Sequence, residues 1–134
     1  MAFYEKNMKT VINTNNAPAP IGPYSQAIIA GNFVFVSGQV AIDPSSGELI
    51  LDDIKTETKQ VMENIKAILT EAGIDFSNIV KTSIFLIDMQ NFAQVNEVYS
   101  TYFTDQFPAR ETVQVSGLPK GVNVEISVTA IKAW

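Results

Sequence analysis

The sequence predicts an α+β fold: a mixed β-sheet with two helices packed on one of its faces. Three observations carry that expectation. From Asp53 to Ala72 the apolar residues Ile54, Val61, Met62, Ile65, Ile68 and Leu69 recur at helical spacing. From Val122 to Ile131 the residues alternate, with Val122, Val124, Ile126, Val128 and Ala130 on one side and Asn123, Glu125, Ser127 and Thr129 on the other. The elements follow the order ββ, α, β, α, ββ, without a repeat or a linker. A length of 134 residues fits one domain, 1–134.

Taken along the chain, a short strand is expected around Lys9 to Asn13, followed by a stiff, irregular APAPIGP stretch at 17–23. YSQAIIA and FVFVS form a hairpin about Gly31-Asn32, a pair suited to a turn that needs positive φ. DPSSG at 43–47 is a loop. The first helix, Asp53 to Ala72, starts beside Asp52 and Asp53 and ends where Gly73 can cap it. IVKTSIFLID, 79–88, is a strand with both faces partly apolar, so a helix or a second subunit is expected to cover each side. A second helix is expected from Asn91 to Thr104, with Phe92, Val95, Tyr99 and Tyr102 on one stripe and Pro108 stopping it. Glu111 to Ser116 and Val122 to Ile131, joined by GLPKG, complete the sheet.

Composition excludes several chemistries. Without cysteine or histidine there is no disulfide, no thiolate nucleophile and no imidazole base, and proton transfer falls to Asp, Glu, Tyr, Lys or water. A formal charge of -5 with no basic cluster argues against nucleic acid as the main partner. No apolar run reaches membrane-spanning length, and the polar stretch MAFYEKNMKTVINT does not read as a secretory segment, so the expected location is cytoplasmic. GxGxxG, GxxxxGK[ST] and GxSxG are absent, as are carboxylates at metal-binding spacing.

One residue stands out. The stretch FPARETVQV holds the only arginine, Arg110, against eight lysines elsewhere. A guanidinium grips a carboxylate with two parallel hydrogen bonds, which an ammonium cannot do. Alternation puts Arg110, Thr112 and Gln114 on one side of their strand and Glu111, Val113 and Val115 on the other. If the first side meets the polar face of the last strand, Arg110 and Glu125 share a cavity. The residues alone leave two readings: a substrate clamp, or a structural salt bridge, either to Glu125 or across a subunit boundary. Glu125 alone reads as a carboxylate on a wet strand face, Tyr24 as a packing residue and Asn96 as a solvent-facing helix position. Gly38, after Ser37, either permits a turn or lets backbone approach a ligand.

Together PIGPYSQA, FVSGQ, DMQNFAQVNEVYSTYF, FPARETVQV and LPKGVNVEISV resemble the RidA/YjgF family of reactive-intermediate deaminases, in its order and spacing, over about residues 10–131. The resemblance implies a fold like that of the trimeric chorismate mutases, a homotrimer with clefts between neighbouring subunits, and no metal or organic cofactor. It implies hydrolysis of 2-imino acids, or their enamine tautomers, released by pyridoxal-phosphate-dependent serine or threonine dehydratases, to 2-keto acids and ammonia. Carried over by position, Arg110 would bind the substrate carboxylate and Glu125 would activate water. Tyr24 and Asn96 would line the cleft, Ser37 and Gly38 would complete it, and Thr112 would bind substrate through its backbone. Many relatives have cysteine at the position of Thr112, and a small serine is common where Glu111 stands, a change at the cleft rim or at a subunit contact. A non-catalytic module binding small carboxylates is the alternative. Ribonuclease activity, attributed to some relatives, sits poorly with the acidic charge and the missing histidine, and a chorismate mutase would want more cations than one arginine.

Overall fold

In a computed structural model that describes residues 8–133, eight regular elements build one six-stranded sheet covered on one side by two helices. The polar N-terminal stretch lies partly, over residues 1–7, outside the described residues. The strands are β1 (Thr10–Ile12), β2 (Ala27–Ala30), β3 (Phe33–Gln39), β4 (Ile79–Leu86), β5 (Ala109–Gln114) and β6 (Val124–Ile131). The helices are α1 (Ile54–Glu71) and α2 (Phe92–Ser100).

The sheet order is β1-β2-β3-β6-β4-β5, and only β4 and β5 run parallel. A parallel pair needs a crossover of a dozen or more residues, and the segment containing α2 supplies it. That connection lays α2 on the face that α1 already covers, where the Tyr99 hydroxyl donates to Thr82 Oγ1 of β4 at 2.9 Å. Gly31 turns the β2–β3 hairpin with φ of 60°, a conformation that glycine adopts without a Cβ clash.

Local chemistry sets the helix ends. Asp53 accepts from the Thr56 N–H at 2.8 Å and starts α1; Gly73, with φ of 79°, follows its last turn. The second helix is shorter than its pattern predicts, ending at Ser100 instead of Thr104. There the amides of Thr101, Tyr102 and Phe103 bond three residues back, and the hydroxyls of Ser100 and Thr101 take the carbonyls of Glu97 and Val98. These bonds compete with continued α-helix and turn Tyr102 and Phe103 onto Phe76. The last two strands also shift: Ala109–Gln114 replaces 111–116, and Val122-Asn123 leads into β6 behind a short 3-10 turn at Pro119–Gly121.

The core lies between sheet and helices. Ile84, Leu86, Val124, Ile126 and Val128 meet Val61, Ile65, Ile68, Leu69 and Val95 there, all almost fully buried. Among the described residues no helix is long and apolar enough to cross a membrane.

Candidate active site

Arg110 sits opposite Thr82 of β4, and Thr82 sits opposite Val128 of β6. Directly paired residues share a sheet face, and Thr82 and Val128 are buried under the helices. Arg110 therefore rises on the helix-covered face, at the sheet's β5 edge. Glu125 pairs with Phe85, which pairs with Val113, on the opposite face.

This corrects the expectation of a cavity shared by Arg110 and Glu125 within one chain. β4 separates their strands, and their side chains leave opposite faces of the sheet. The cause is register: parallel pairing to β4 aligns the Arg110, Thr112, Gln114 row with the helix-facing row of Thr82, Ile84 and Leu86.

The Arg110 half of the site is built by α2. Its guanidinium carbon stands 5.6 Å from the Phe92 ring centroid and 5.1 Å from that of Tyr99, within cation–π range. Burial pushes the Tyr99 phenol above its ordinary value, against the opposing influence of Thr82 and Arg110. Arg110 and Asn96 line one hollow of about 250 Å³, together with Tyr99, Ser100, Phe107 and Pro108. Among the described residues no carboxylate pairs with Arg110, so the intrachain salt bridge left open by the sequence is not made there. Beside it, Thr112 Oγ1 is buried without a hydrogen-bond partner.

The Glu125 half lies on the uncovered face. Between Val36↔Val128 and Gln39↔Ile126 the register shifts, so Ser37 and Gly38 together oppose Ser127 in a bulge. The bulge brings Gly38 against the acid: a Cβ at Gly38 would stand 2.8 Å from Glu125 Cδ, closer than carbon atoms approach. A side chain at this position would displace the carboxylate from where it stands. Burial raises the Glu125 carboxyl above its ordinary value. Tyr24 lines a hollow with Gly38, and its hydroxyl accepts from the Ile21 N–H at 3.2 Å. The Ser37 hydroxyl donates to the Ser25 carbonyl at 2.6 Å and ties this loop to β3.

Sequence-predicted residues thus gather in two halves: Arg110, Asn96 and Thr112 on one face, and Glu125, Gly38, Ser37 and Tyr24 on the other. A family model described as endoribonuclease L-PSP matches residues 14–132. The chain belongs to the RidA/YjgF family. This family member is 56% identical over 125 residues to a RutC family protein of Pyrococcus horikoshii, covering 93% of this chain and 99% of that one. It is 48% identical over 125 residues to the 2-iminobutanoate/2-iminopropanoate deaminase of Mus musculus, covering 93% of each. The crystal structure of E. coli TdcF with bound serine superposes with a TM-score of 0.89 at 38% identity, covering 92% of this chain and 99% of that one.

Two features of this RidA/YjgF site escape the sequence reading. Helical spacing puts Phe92 and Tyr99 on a packing stripe, yet both also face the guanidinium; their seven-residue separation, two helical turns, is the signal that they share a face. Gln26 reads as an ordinary strand residue, but its buried amide bonds Thr14, Ala17 and Pro18 and shapes the loop that leads to Tyr24. Among the described residues no group of three or more Asp and Glu side chains is arranged to hold a metal ion.

Proposed function

We propose that the protein hydrolyses 2-imino acids and their enamine tautomers to 2-keto acids and ammonia, in clefts between subunits of a homotrimer with a chorismate-mutase-like fold. The observation that carries this reading is the division of the site. An arginine without a carboxylate partner among the described residues stands on one sheet face, and an acid with a raised carboxyl stands on the other. Each half lacks what the other offers, so a complete site needs the Arg110 face of one chain and the Glu125 face of its neighbour. The uncovered sheet face suits such an assembly: Phe33, Phe35, Val113 and Ile131 are each 40% to 47% exposed there.

In that cleft Arg110 holds the substrate carboxylate bidentately. Its aromatic cradle keeps the fork in place without neutralising it. Asn96 and the Thr112 strand line the same end. A water beside the neighbour's Glu125 attacks the imine carbon, and the carboxylate takes a proton as the new C–O bond forms. Glu125 returns that proton to nitrogen to give a carbinolamine, then takes the proton of the new hydroxyl and passes it to the amine, so that the C=O bond forms as the C–N bond breaks and ammonia leaves the 2-keto acid. An imine is already electrophilic, so positioning and one proton shuttle suffice. The raised Glu125 carboxyl suits a group that must both take and give a proton near neutral pH. No cofactor takes part. The name of the mouse relative supports this substrate class.

A second reading, a binding module for small carboxylates without turnover, rests on the serine bound to TdcF. The test couples the protein to a threonine dehydratase and follows decay of the imine absorbance. Wild type accelerates the decay, and Arg110→Lys slows it at least tenfold through a higher KM. If wild type binds 2-oxobutanoate but leaves imine decay unchanged, the binding module stands and the enzyme does not.

A further inference from the structure

Of the three polar side chains that helix α1 buries, Thr58 bonds within the helix, and two, Glu57 and Asn64, bond outside it. Glu57 is 0% exposed and Asn64 1% exposed. They lie seven residues apart, two turns on one helix face. Glu57 accepts from the Asn123 N–H at 2.7 Å, the Asn123 side-chain amide at 2.8 Å and the Val124 N–H at 3.2 Å. Its place in the first turn of α1 adds the favourable field of the helix N-terminus to a buried acid. Asn64 donates to the Val40 carbonyl at 3.1 Å and the Ile42 carbonyl at 2.9 Å, and Gln60 fixes its amide by donating to Oδ1 at 2.9 Å.

These contacts bracket the Glu125 half of the site. Glu57 grips the two residues before Glu125, at the entry to β6. Asn64 grips the chain two residues after Gly38, at the exit of β3. Between the grips lie the bulge and the close approach of Glu125 to Gly38. A buried carboxylate that served only stability would be replaceable by an apolar side chain of similar volume, often without loss. Here the hydrogen bonds go to backbone next to the acid, and they fix where that backbone lies.

We propose that Glu57 and Asn64 are positioning residues, through which α1 clamps β6 against β3 and presses the Glu125 carboxylate onto Gly38. The inference rests on the deaminase reading for its catalytic consequence, but not for its geometry. Clamped there, the carboxylate is partly withdrawn from bulk solvent, and that burial raises it above its ordinary value. Among the described residues of the sheet and of the loop before β2, the other titratable groups on its face are Lys81 of β4 and Glu111 of β5, bonded to each other at 2.8 Å, and Tyr24. Lys81 stands in the Thr129 row, two rows from that of Glu125, and β3 presents Phe33, Phe35 and Ser37. Within the chain solvent access therefore governs the acid, and backbone position governs solvent access; the neighbour's Arg110, which the proposed assembly adds as an opposing influence, is left unchanged by the variants below.

The test is Glu57→Gln, with Asn123→Ala as a milder variant that removes one of the three donors and leaves Glu57 in place. The Glu125 carboxyl resonance is followed by carbon-13 NMR against pH, assigned by its loss in Glu125→Gln, together with the pH profile of imine hydrolysis. In Glu57→Gln the Glu125 midpoint falls toward the ordinary glutamate value, the acid limb of the rate profile moves to lower pH, and kcat drops about tenfold. KM, set by Arg110 on the other face, changes less than twofold. Asn123→Ala shows the same shift at smaller size. If Tm falls in both variants while the Glu125 midpoint stays at its wild-type position, the clamp is only a stabilising contact and the proposal is overturned. A wild type that hydrolyses no imine removes the deaminase reading, yet the carboxyl titration still decides the clamp.

Discussion

The two faces of the sheet are made by the same strands and differ in almost every respect. On the helix-covered face Ile84, Leu86, Val124 and Ile126 are fully buried, and Thr82 accepts from the Tyr99 hydroxyl, while at the edge Thr112 Oγ1 is buried without a partner. On the other face Phe33 and Phe35 stack at 5.9 Å beside Ser127, Thr129 and Glu125, with no helix above them. Its apolar residues are too large and too exposed for a face meant only to meet water. The first face makes a fold; in the proposed function the second meets a neighbour and carries the acid, while Arg110 stands at the rim of the first.

Substitutions that act on one face and leave the other alone can break that division. The largest effect is expected from Glu125→Gln, which keeps the shape of the side chain and removes its base: imine hydrolysis falls by about 10²–10⁴-fold, while calorimetry still detects binding of 2-oxobutanoate. Loss of binding to the same degree would mean that the open face recognises substrate and does not act on it.

Next in size, Leu86→Ala on the covered face costs about 2–5 kcal/mol of folding stability, read by urea denaturation, with the mass of the assembly unchanged in analytical ultracentrifugation. On the open face the reverse is expected from Phe35→Asp. Stability of the single chain changes by less than about 1 kcal/mol, because Phe35 is 47% exposed, but sedimentation shows chains instead of trimers and activity disappears with the assembly. A Phe35→Asp trimer with full activity would remove the open face from the interface.

The smallest effect sharpens the comparison through pH. Burial holds the folded Glu125 pKa above its ordinary 4.5. The stability tied to the protonated form is therefore complete below the unfolded value and is lost as pH rises through the folded one. At pH 7 the ionised carboxylate is a liability that Glu125→Gln relieves, raising Tm by at most about 2–4 °C, because the group is only partly buried and solvent screens the effect. At pH 4 the gain vanishes. The same substitution then lowers activity and raises stability, the pattern of a strained site and not of a core.

Much of this was legible in the residues. Asp53 and Gly73 mark the ends of α1, and the alternation of β6 assigns Val124, Ile126 and Val128 to the core before any coordinates are consulted. The second helix was less legible, because Ser100 and Thr101 carry side chains whose competition with the backbone depends on where the Tyr102 and Phe103 rings find Phe76. Gly38 could be read as a turn or as a place where backbone nears a ligand; the structure supplies a reason the residues did not give, a bulge in β3 that makes room for the Glu125 carboxylate.

By itself, then, the sequence determined the elements, the apolar face of each regular segment, the family and the one guanidinium worth watching, since these depend on local periodicity and on residue type. The tertiary structure decided on which face of the sheet Arg110 and Glu125 emerge. Alternation supplies a period but not a sign for an edge strand whose two sides are both half polar. That sign comes from register with β4, a pairing between residues 28 positions apart, and it turns one expected cavity into two half-sites on opposite faces.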